Sequence, residues 1–163
     1  MKHVVVEAED GGRFLDPSAY LELLPTFAEN LPVGARAFAT EDGHYDFFSQ
    51  RCVKDLKPDT VLSGETYGER WLELRFRHNC WKHEEDLTIR YSGVSDVFPA
   101  SSCRPPIWEE GNAVALDEIL PHEHGCSHEI RFLSGSLTVL GQDLTASWAE
   151  ADCPEKSDRS PQS

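Results

Sequence analysis

The residues best suited to chemistry are concentrated in one short stretch, residues 122–129. It contains three imidazoles and one thiol, contributed by His122, His124, Cys126 and His128. Imidazole and thiolate are the usual ligands of zinc, and two histidines two positions apart on an extended segment point the same way. The stretch is therefore a candidate zinc site. The alternative is a polar loop in which His128 is partly buried and Cys126 is a small apolar filler.

A second group of possible ligands lies earlier in the chain, in a long loop that contains His78, Cys80 and His83. A closed tetrahedral zinc site normally takes its ligands from two separate segments, so this loop could supply the remaining donors. The two segments can meet only if both emerge at the same end of a sheet. The spacing in the sequence leaves that point open.

The stretch also resembles, in part, the first metal motif of the cupin family, whose β-barrels hold a metal with two histidines and a glutamate. The resemblance rests on His122 and His124 followed by Glu129 and Gly135, about fourteen residues in all. Leu116 stands where the family has a glycine, the spacing from glutamate to glycine is one residue short, and no later histidine supplies the remaining ligand. The resemblance implies a metal site, but these departures leave the chain without an assigned family.

Catalysis through a nucleophilic thiol is a further interpretation of the same stretch. Cys126 would attack, a histidine would act as base, and Asp117 or Glu118 would orient that base. However, Cys126 precedes a predicted strand instead of a helix N-terminus, and an acidic surrounding field raises the pKa of a thiol. Since glycine-rich phosphate loops are also absent from the sequence, no residue is predicted to be catalytic.

The charge of the chain points to the kind of partner it can bind. Fifteen basic and 29 acidic residues give a formal net charge of −14. Such a surface repels nucleic-acid phosphates and anionic lipids, and it favours a basic protein partner, as in a toxin-neutralising immunity protein. Trp81 and Trp108 lie in predicted loops and are candidate binding anchors. The oligomeric state is left open.

The five cysteines form no tight framework, and the chain has no predicted secretory segment or apolar run of membrane-spanning length. We therefore expect free thiols in a soluble, cytoplasmic protein.

Two stretches in which every second residue is apolar predict β-hairpins, at residues 71–93 and 127–141. In the first, a register that pairs Phe76 with Leu87 places opposite charges across from each other, but a slip of two residues does so as well. The sequence therefore predicts which residues share a face and leaves the register open.

The second hairpin has a sharper turn signal, because Ser134 and Gly135 are typical of a two-residue turn. That turn would place Phe132 opposite Leu137. We expect both hairpins to lie in one curved antiparallel sheet.

The remaining elements are weaker predictions. A helix is expected over residues 17–24, kinked by Pro25, because its apolar residues recur at helical spacing. Short strands are expected at residues 4–8, 36–40, 52–56, 60–63 and 144–148, whereas residues 113–120 are compatible with either a strand or a short helix.

Together these elements predict an α+β domain over residues 1–149, followed by a disordered acidic and polar tail at 150–163. Its antiparallel sheet has about six to eight strands, a meander in the second half, and one N-terminal helix packed on it. The sequence favours a protein-binding module over an enzyme and leaves enzymatic activity open. The alternative is a metal-binding protein or metal-dependent enzyme that uses residues 122–129.

Overall fold

The protein folds into two four-stranded antiparallel sheets, a two-stranded hairpin and two short α-helices, in a computed structural model that describes residues 1–9, 12–99 and 107–152. The hairpin comprises β1 (Val5–Glu9) and β2 (Gly12–Asp16), and the helices are α1 (Ser18–Phe27) and α2 (Val33–Ala39). One turn of 3₁₀-helix, Ala28–Asn30, lies between the helices.

The first large sheet has the strand order β10-β5-β4-β3 and the second has the order β6-β9-β8-β7. The strands are β3 (Lys57–Thr66), β4 (Glu69–Arg77), β5 (Glu85–Ser92), β6 (Asp96–Phe98), β7 (Val114–His122), β8 (Gly125–Phe132), β9 (Ser136–Gly141) and β10 (Asp143–Glu150). The chain therefore combines helices with antiparallel sheet, as predicted. The expectation of one sheet and one helix is wrong.

The strands β4 and β5 form the first predicted hairpin. The observed register places Phe76 opposite Leu87 and Leu74 opposite Ile89. All four side chains are buried, because alternate residues of a strand share one face and this face lies against the second sheet. On the opposite face Glu73 forms ion pairs with arginines, which explains the alternation of apolar and charged residues.

The second predicted hairpin, β8 and β9, has the expected faces but a different register. Ile130, not Phe132, lies opposite Leu137, and the Phe132 N–H donates to the Gly135 carbonyl at 2.9 Å. The loop is therefore longer than the predicted two-residue turn. Because the slip is two residues, the inward-facing side chains remain buried. This hairpin lies in the second sheet, so the expectation that both hairpins share one sheet is wrong.

Helix α1 extends beyond the predicted residues 17–24 and contains Pro25. Helix α2 occupies the region where a strand was expected at residues 36–40. Its buried residues are Ala35, Phe38 and Ala39, which are spaced as on one face of a helix. This spacing is present in the sequence, but we interpreted the segment as a strand.

The start of α2 is held by a residue distant in sequence. Both oxygens of the Asp143 carboxylate, at the start of β10, accept hydrogen bonds from the α2 backbone. The Gly34 N–H donates at 3.1 Å and the Ala35 N–H at 2.9 Å. These groups have no partner within the helix, and a carboxylate at a helix N-terminus also opposes the helix dipole. No local residue supplies this cap, because the helix follows Leu31 and Pro32.

The prediction of a strand at residues 52–56 is also wrong, since residues 41–56 form successive turns. The strands expected near residues 4–8, 60–63 and 144–148 are present as β1, β3 and β10. Residues 113–120, which were left open, contribute most of β7. Residues 153–163 of the expected tail and residues 100–106 of a predicted loop lie outside the described residues. None of the described helices is long and apolar enough to cross a membrane.

Replacing Asp143 with alanine should lower the free energy of unfolding by about 1 kcal/mol, the usual effect of removing a side-chain cap. The reason is that two N–H groups at the start of α2 lose their acceptor. Urea denaturation followed by circular dichroism measures the change. Glu150→Ala, at an exposed position of the same strand, is the control. Equal unfolding free energies for the two variants would contradict the capping role.

Candidate functional site

The densest group of interacting ionisable side chains lies between the two sheets. The Asp117 carboxylate accepts hydrogen bonds from two imidazoles: His44 Nε2 lies 2.8 Å from Oδ1, and His128 Nε2 lies 2.7 Å from Oδ2. The Tyr91 hydroxyl lies 2.6 Å from the other ring nitrogen of His128. We call these four residues the Asp117 network. Each has 1% or less of its surface exposed, so the network is withdrawn from solvent.

Strand alternation explains why these side chains meet. His128 on β8 lies opposite Ile119 of β7, and Asp117, two residues before Ile119, therefore faces the same interior. Tyr91 reaches His128 from β5 of the other sheet. His44 comes from the turns that follow α2, and its ring lies 4.3 Å from the ring centroids of Phe38 and Tyr45. The network thus joins both sheets to the segment 41–56.

The hydrogen bonds of His44 determine its charge. Its Nδ1 lies 2.8 Å from the Phe38 carbonyl and its Nε2 faces the Asp117 carboxylate. A carbonyl and an ionised carboxylate can only accept, so both ring nitrogens must carry a proton and His44 is an imidazolium. Burial alone lowers the pKa of His44, but the charge and hydrogen bond of Asp117 outweigh it and the net shift is upward.

Asp117 is the matching anion. Burial raises the pKa of its carboxyl group, but the two histidines oppose this effect and the resulting pKa lies well below its ordinary value. His128 is satisfied as a neutral ring when Nε2–H donates to Asp117 and the Tyr91 hydroxyl donates to Nδ1. Burial raises the pKa of Tyr91 well above its ordinary value, which keeps that hydroxyl protonated.

The Asp117 network contains groups found in catalytic sites, but its four side chains are closed off from solvent. The adjoining cavity has a volume of about 10 Å³ and a largely apolar lining that includes Leu56, Phe76 and Ile130. Such a volume accommodates at most one water molecule. The arrangement therefore holds a buried ion pair in fixed geometry.

The predicted ligands at residues 122–129 do not converge. His122 and His124 are exposed at the tight turn between β7 and β8, where His124 has a positive φ of 67°. Cys126 and His128 point inward along β8, and His128 belongs to the Asp117 network. Burial raises the pKa of the Cys126 thiol to about 12. A neutral, buried thiol is not a nucleophile at neutral pH.

The side chains of the second predicted ligand segment, the loop with His78, Cys80 and His83, also form structural contacts. The Nδ1 atom of His78 lies 2.7 Å from the Asp86 carboxylate. His83 is buried between the Asn79 N–H and the Cys52 carbonyl, and burial lowers its pKa. Within the part of the chain that the structure describes, no three histidine, cysteine, aspartate or glutamate side chains are grouped to hold a metal ion. Zinc binding is therefore not supported there.

The cysteines differ from the expectation of five free thiols. Cys80 is disulfide-bonded and cannot act as a thiolate ligand. Cys52 and Cys126 are free and buried. Cys103 and Cys153 lie outside the described residues.

The two candidate anchor tryptophans occupy different environments. Trp108 is partly buried against the core, with its ring centroid 6.5 Å from that of Phe76. Trp81 has 61% of its surface exposed. Trp81 is therefore the more exposed of the two tryptophans, and Trp108 packs against the core.

Sequence reasoning missed His44 entirely and considered Asp117 only as a residue that might orient a histidine acting as base for Cys126. One signal was present: Asp117 interrupts the apolar residues of β7 at an inward-facing position. A buried aspartate requires partners, but the sequence does not identify them. Comparisons with protein-family models, with curated proteins and with solved structures found no match.

Replacing Asp117 with asparagine should lower the free energy of unfolding by about 3–5 kcal/mol, because the buried imidazolium of His44 loses its counter-ion. Urea denaturation at pH 6 measures this change. Asp42→Asn, at an exposed position in the same region of turns as His44, is the matched control and should change stability little. A loss below 1 kcal/mol in the Asp117 variant would contradict a buried ion pair.

The raised pKa of His44 also predicts a pH dependence. Protonated His44 contributes to the free energy of unfolding. This contribution is complete below the unfolded-state pKa of about 6.5 and is lost as the pH rises through the higher folded-state pKa. Between these values, wild-type stability should fall relative to His44→Gln by up to about 1.4 kcal/mol per pH unit. Urea denaturation from pH 5.5 to 9 measures the difference between the two curves.

The difference between the two curves separates the contribution of His44 to the pH dependence of stability from the contributions of the other titrating groups. The lowered pKa of His83 makes stability fall as the pH drops below about 6.5, but that effect is common to both proteins. His122→Gln removes an exposed histidine and should follow the wild-type curve. Parallel curves for wild type and His44→Gln would show that His44 carries no additional proton in the folded state.

Proposed function

We propose that the protein is a protein-binding module, and that it contacts its partner through the exposed aromatic side chains of Trp81 and Phe48. Trp81 is 61% exposed and Phe48 is 88% exposed. Large aromatic side chains are costly to leave in water, and they supply much of the energy at protein interfaces. The observation that carries the proposal is this pair of exposed aromatics on loops that are firmly attached to the core.

The attachment depends on Lys82. Its ammonium group is nearly buried and lies 5.2 Å from the centroid of the Trp81 ring. It donates to the Phe47 carbonyl at 2.9 Å and to the Asp55 carboxylate at 3.1 Å. One ammonium thus links the backbone beside Phe48 to the loop that presents Trp81. Fixed loops reduce the conformational entropy that association would otherwise remove, so they favour binding.

A second set of contacts holds the loop that contains Trp81. The buried His83 ring donates from Nε2 to the Cys52 carbonyl at 2.7 Å, and its other nitrogen accepts from the Asn79 N–H at 3.0 Å. These bonds close the turn that contains Trp81. We call the two exposed aromatics, Phe48 and Trp81, the Trp81 surface.

The overall charge of the protein supports a basic partner. Asp46 and Glu84 are exposed close to Phe48 and Trp81 in the chain, and the whole protein carries a formal net charge of −14. An acidic field raises the association rate of a basic protein, whereas the apolar contact stabilises the complex once formed. A neutraliser of a basic protein, comparable in role to an immunity protein, is one function of this type.

The proposal predicts that Trp81→Ala weakens binding of the partner by about 30-fold, the effect of removing an interface residue worth about 2 kcal/mol. Cross-linking in extracts would identify proteins bound by the wild type, and calorimetry with the purified partner would give the dissociation constant. Binding should also weaken with added salt, because charge contributes to the encounter.

Tyr67→Ala is the matched control. Tyr67 is a fully exposed aromatic residue at the turn between β3 and β4, and the Trp81 surface does not include it. It should retain the wild-type dissociation constant. If the partner binds Trp81→Ala and Tyr67→Ala equally well, the interface lies elsewhere. Binding that is independent of salt would contradict a contribution of charge to the encounter.

A further inference from the structure

A groove with a volume of about 710 Å³ lies between the β3–β4 hairpin and β6. Its apolar lining includes Val61 of β3, Leu72 of β4 and Val97 of β6, and its charged lining includes Glu65 and Asp96. We call it the β3 groove. It does not include the Trp81 surface and is independent of it.

The strand β3 borders this groove and lies at the edge of its sheet. Among the described residues it pairs only with β4, and β6 pairs only with β9. A sheet edge presents N–H and C=O groups that can pair with another strand, and native proteins usually protect long edges with charges or prolines. Residues 60–64 of β3, Thr-Val-Leu-Ser-Gly, contain neither. Charges, a proline and a bulge flank this stretch, at residues 57–59 and at Glu65, so the unprotected part of the ten-residue strand is its centre.

The register of β3 separates its two faces. Val61 lies opposite Leu74 and Ser63 lies opposite Leu72, so both lie on the inner face and both line the groove. Gly64 and Trp71 also line it, from the other face. Leu62 lies opposite Glu73 on the outer face. A strand added to the edge of β3 would direct every second side chain into the groove and the others toward solvent.

We propose that the β3 groove binds an extended segment of a basic partner protein, which adds as a further strand to the edge of β3. Its alternate side chains are apolar and contact Val61 and Val97, whereas lysine or arginine side chains approach Glu65 and Asp96. Main-chain hydrogen bonds to β3 provide affinity, and the alternation of side chains provides selectivity. Arg70 is the basic residue of the lining, so the two carboxylates leave the groove with a net negative charge.

The charge of the protein favours this occupant over a second copy of the chain. Two copies would bring together surfaces that each carry a formal net charge of −14, whereas a basic segment is attracted to the same surface. The occupant is therefore a different, basic chain.

The probe is a short synthetic peptide in which lysine and valine alternate, acetylated at one end, amidated at the other and labelled with a fluorophore. Fluorescence anisotropy should show saturable binding. Val61→Arg, which places a charge on the groove face, should weaken it by at least about tenfold. Leu62→Arg adds the same charge on the outer face of the same strand and should weaken it much less. Circular dichroism confirms that both variants are folded.

A second peptide, methylated at alternate backbone nitrogens along one edge, tests strand addition without changing the protein. It keeps the charge and side chains but cannot form the main-chain bonds, so it should fail to bind. Equal binding of both peptides, equal effects of Val61→Arg and Leu62→Arg, or no binding by the wild type would overturn the proposal. So would a wild-type dimer that is dissociated by Val61→Arg in sedimentation measurements.

The Trp81→Ala variant separates this proposal from the previous one. It should bind the peptide with the wild-type dissociation constant, because Trp81 is not part of the groove. Loss of peptide binding in Trp81→Ala would place the peptide at the Trp81 surface and would contradict the β3 groove as the binding site.

Discussion

The structure depends on keeping one carboxylate, that of Asp117, ionised inside an apolar core. Burial of an unpaired charge is strongly unfavourable, so Asp117 requires both His44 and His128 as donors. Each histidine in turn has a second partner, the Phe38 carbonyl for His44 and the Tyr91 hydroxyl for His128. Among the described side chains, no buried polar atom lacks a hydrogen-bond partner, which is the condition under which a polar network favours one arrangement of the core.

Elements defined by short-range pattern could be predicted from the sequence. The alternation in β4 and β5 identifies the buried face of each strand because the side-chain period is two residues. The same alternation in β8 and β9 tolerates a two-residue slip, so the buried residues were correct although the register was wrong. Helix α2 was missed because its cap is Asp143, more than one hundred residues away, and no local residue marks its start.

The interior network could not be predicted for a related reason. His44 lies in a region of turns without apolar periodicity, and its contact with Asp117 spans 73 positions of the chain. Conversely, the stretch 122–129 is rich in ligands, but the tight turn at its centre separates the exposed His122 from the buried Cys126. Residue types in a sequence indicate what chemistry is available. Strand direction and turn position decide which of those side chains meet.

The buried network also bears on the outer surface, through the segment 41–56. His44 ties the start of this segment to Asp117, and its carbonyl accepts a bond from the Val53 N–H, which closes the turns between them. The closed segment carries the Phe47 carbonyl that receives the Lys82 ammonium, and Lys82 lies under Trp81. A continuous series of contacts therefore connects the interior ion pair to the exposed aromatics.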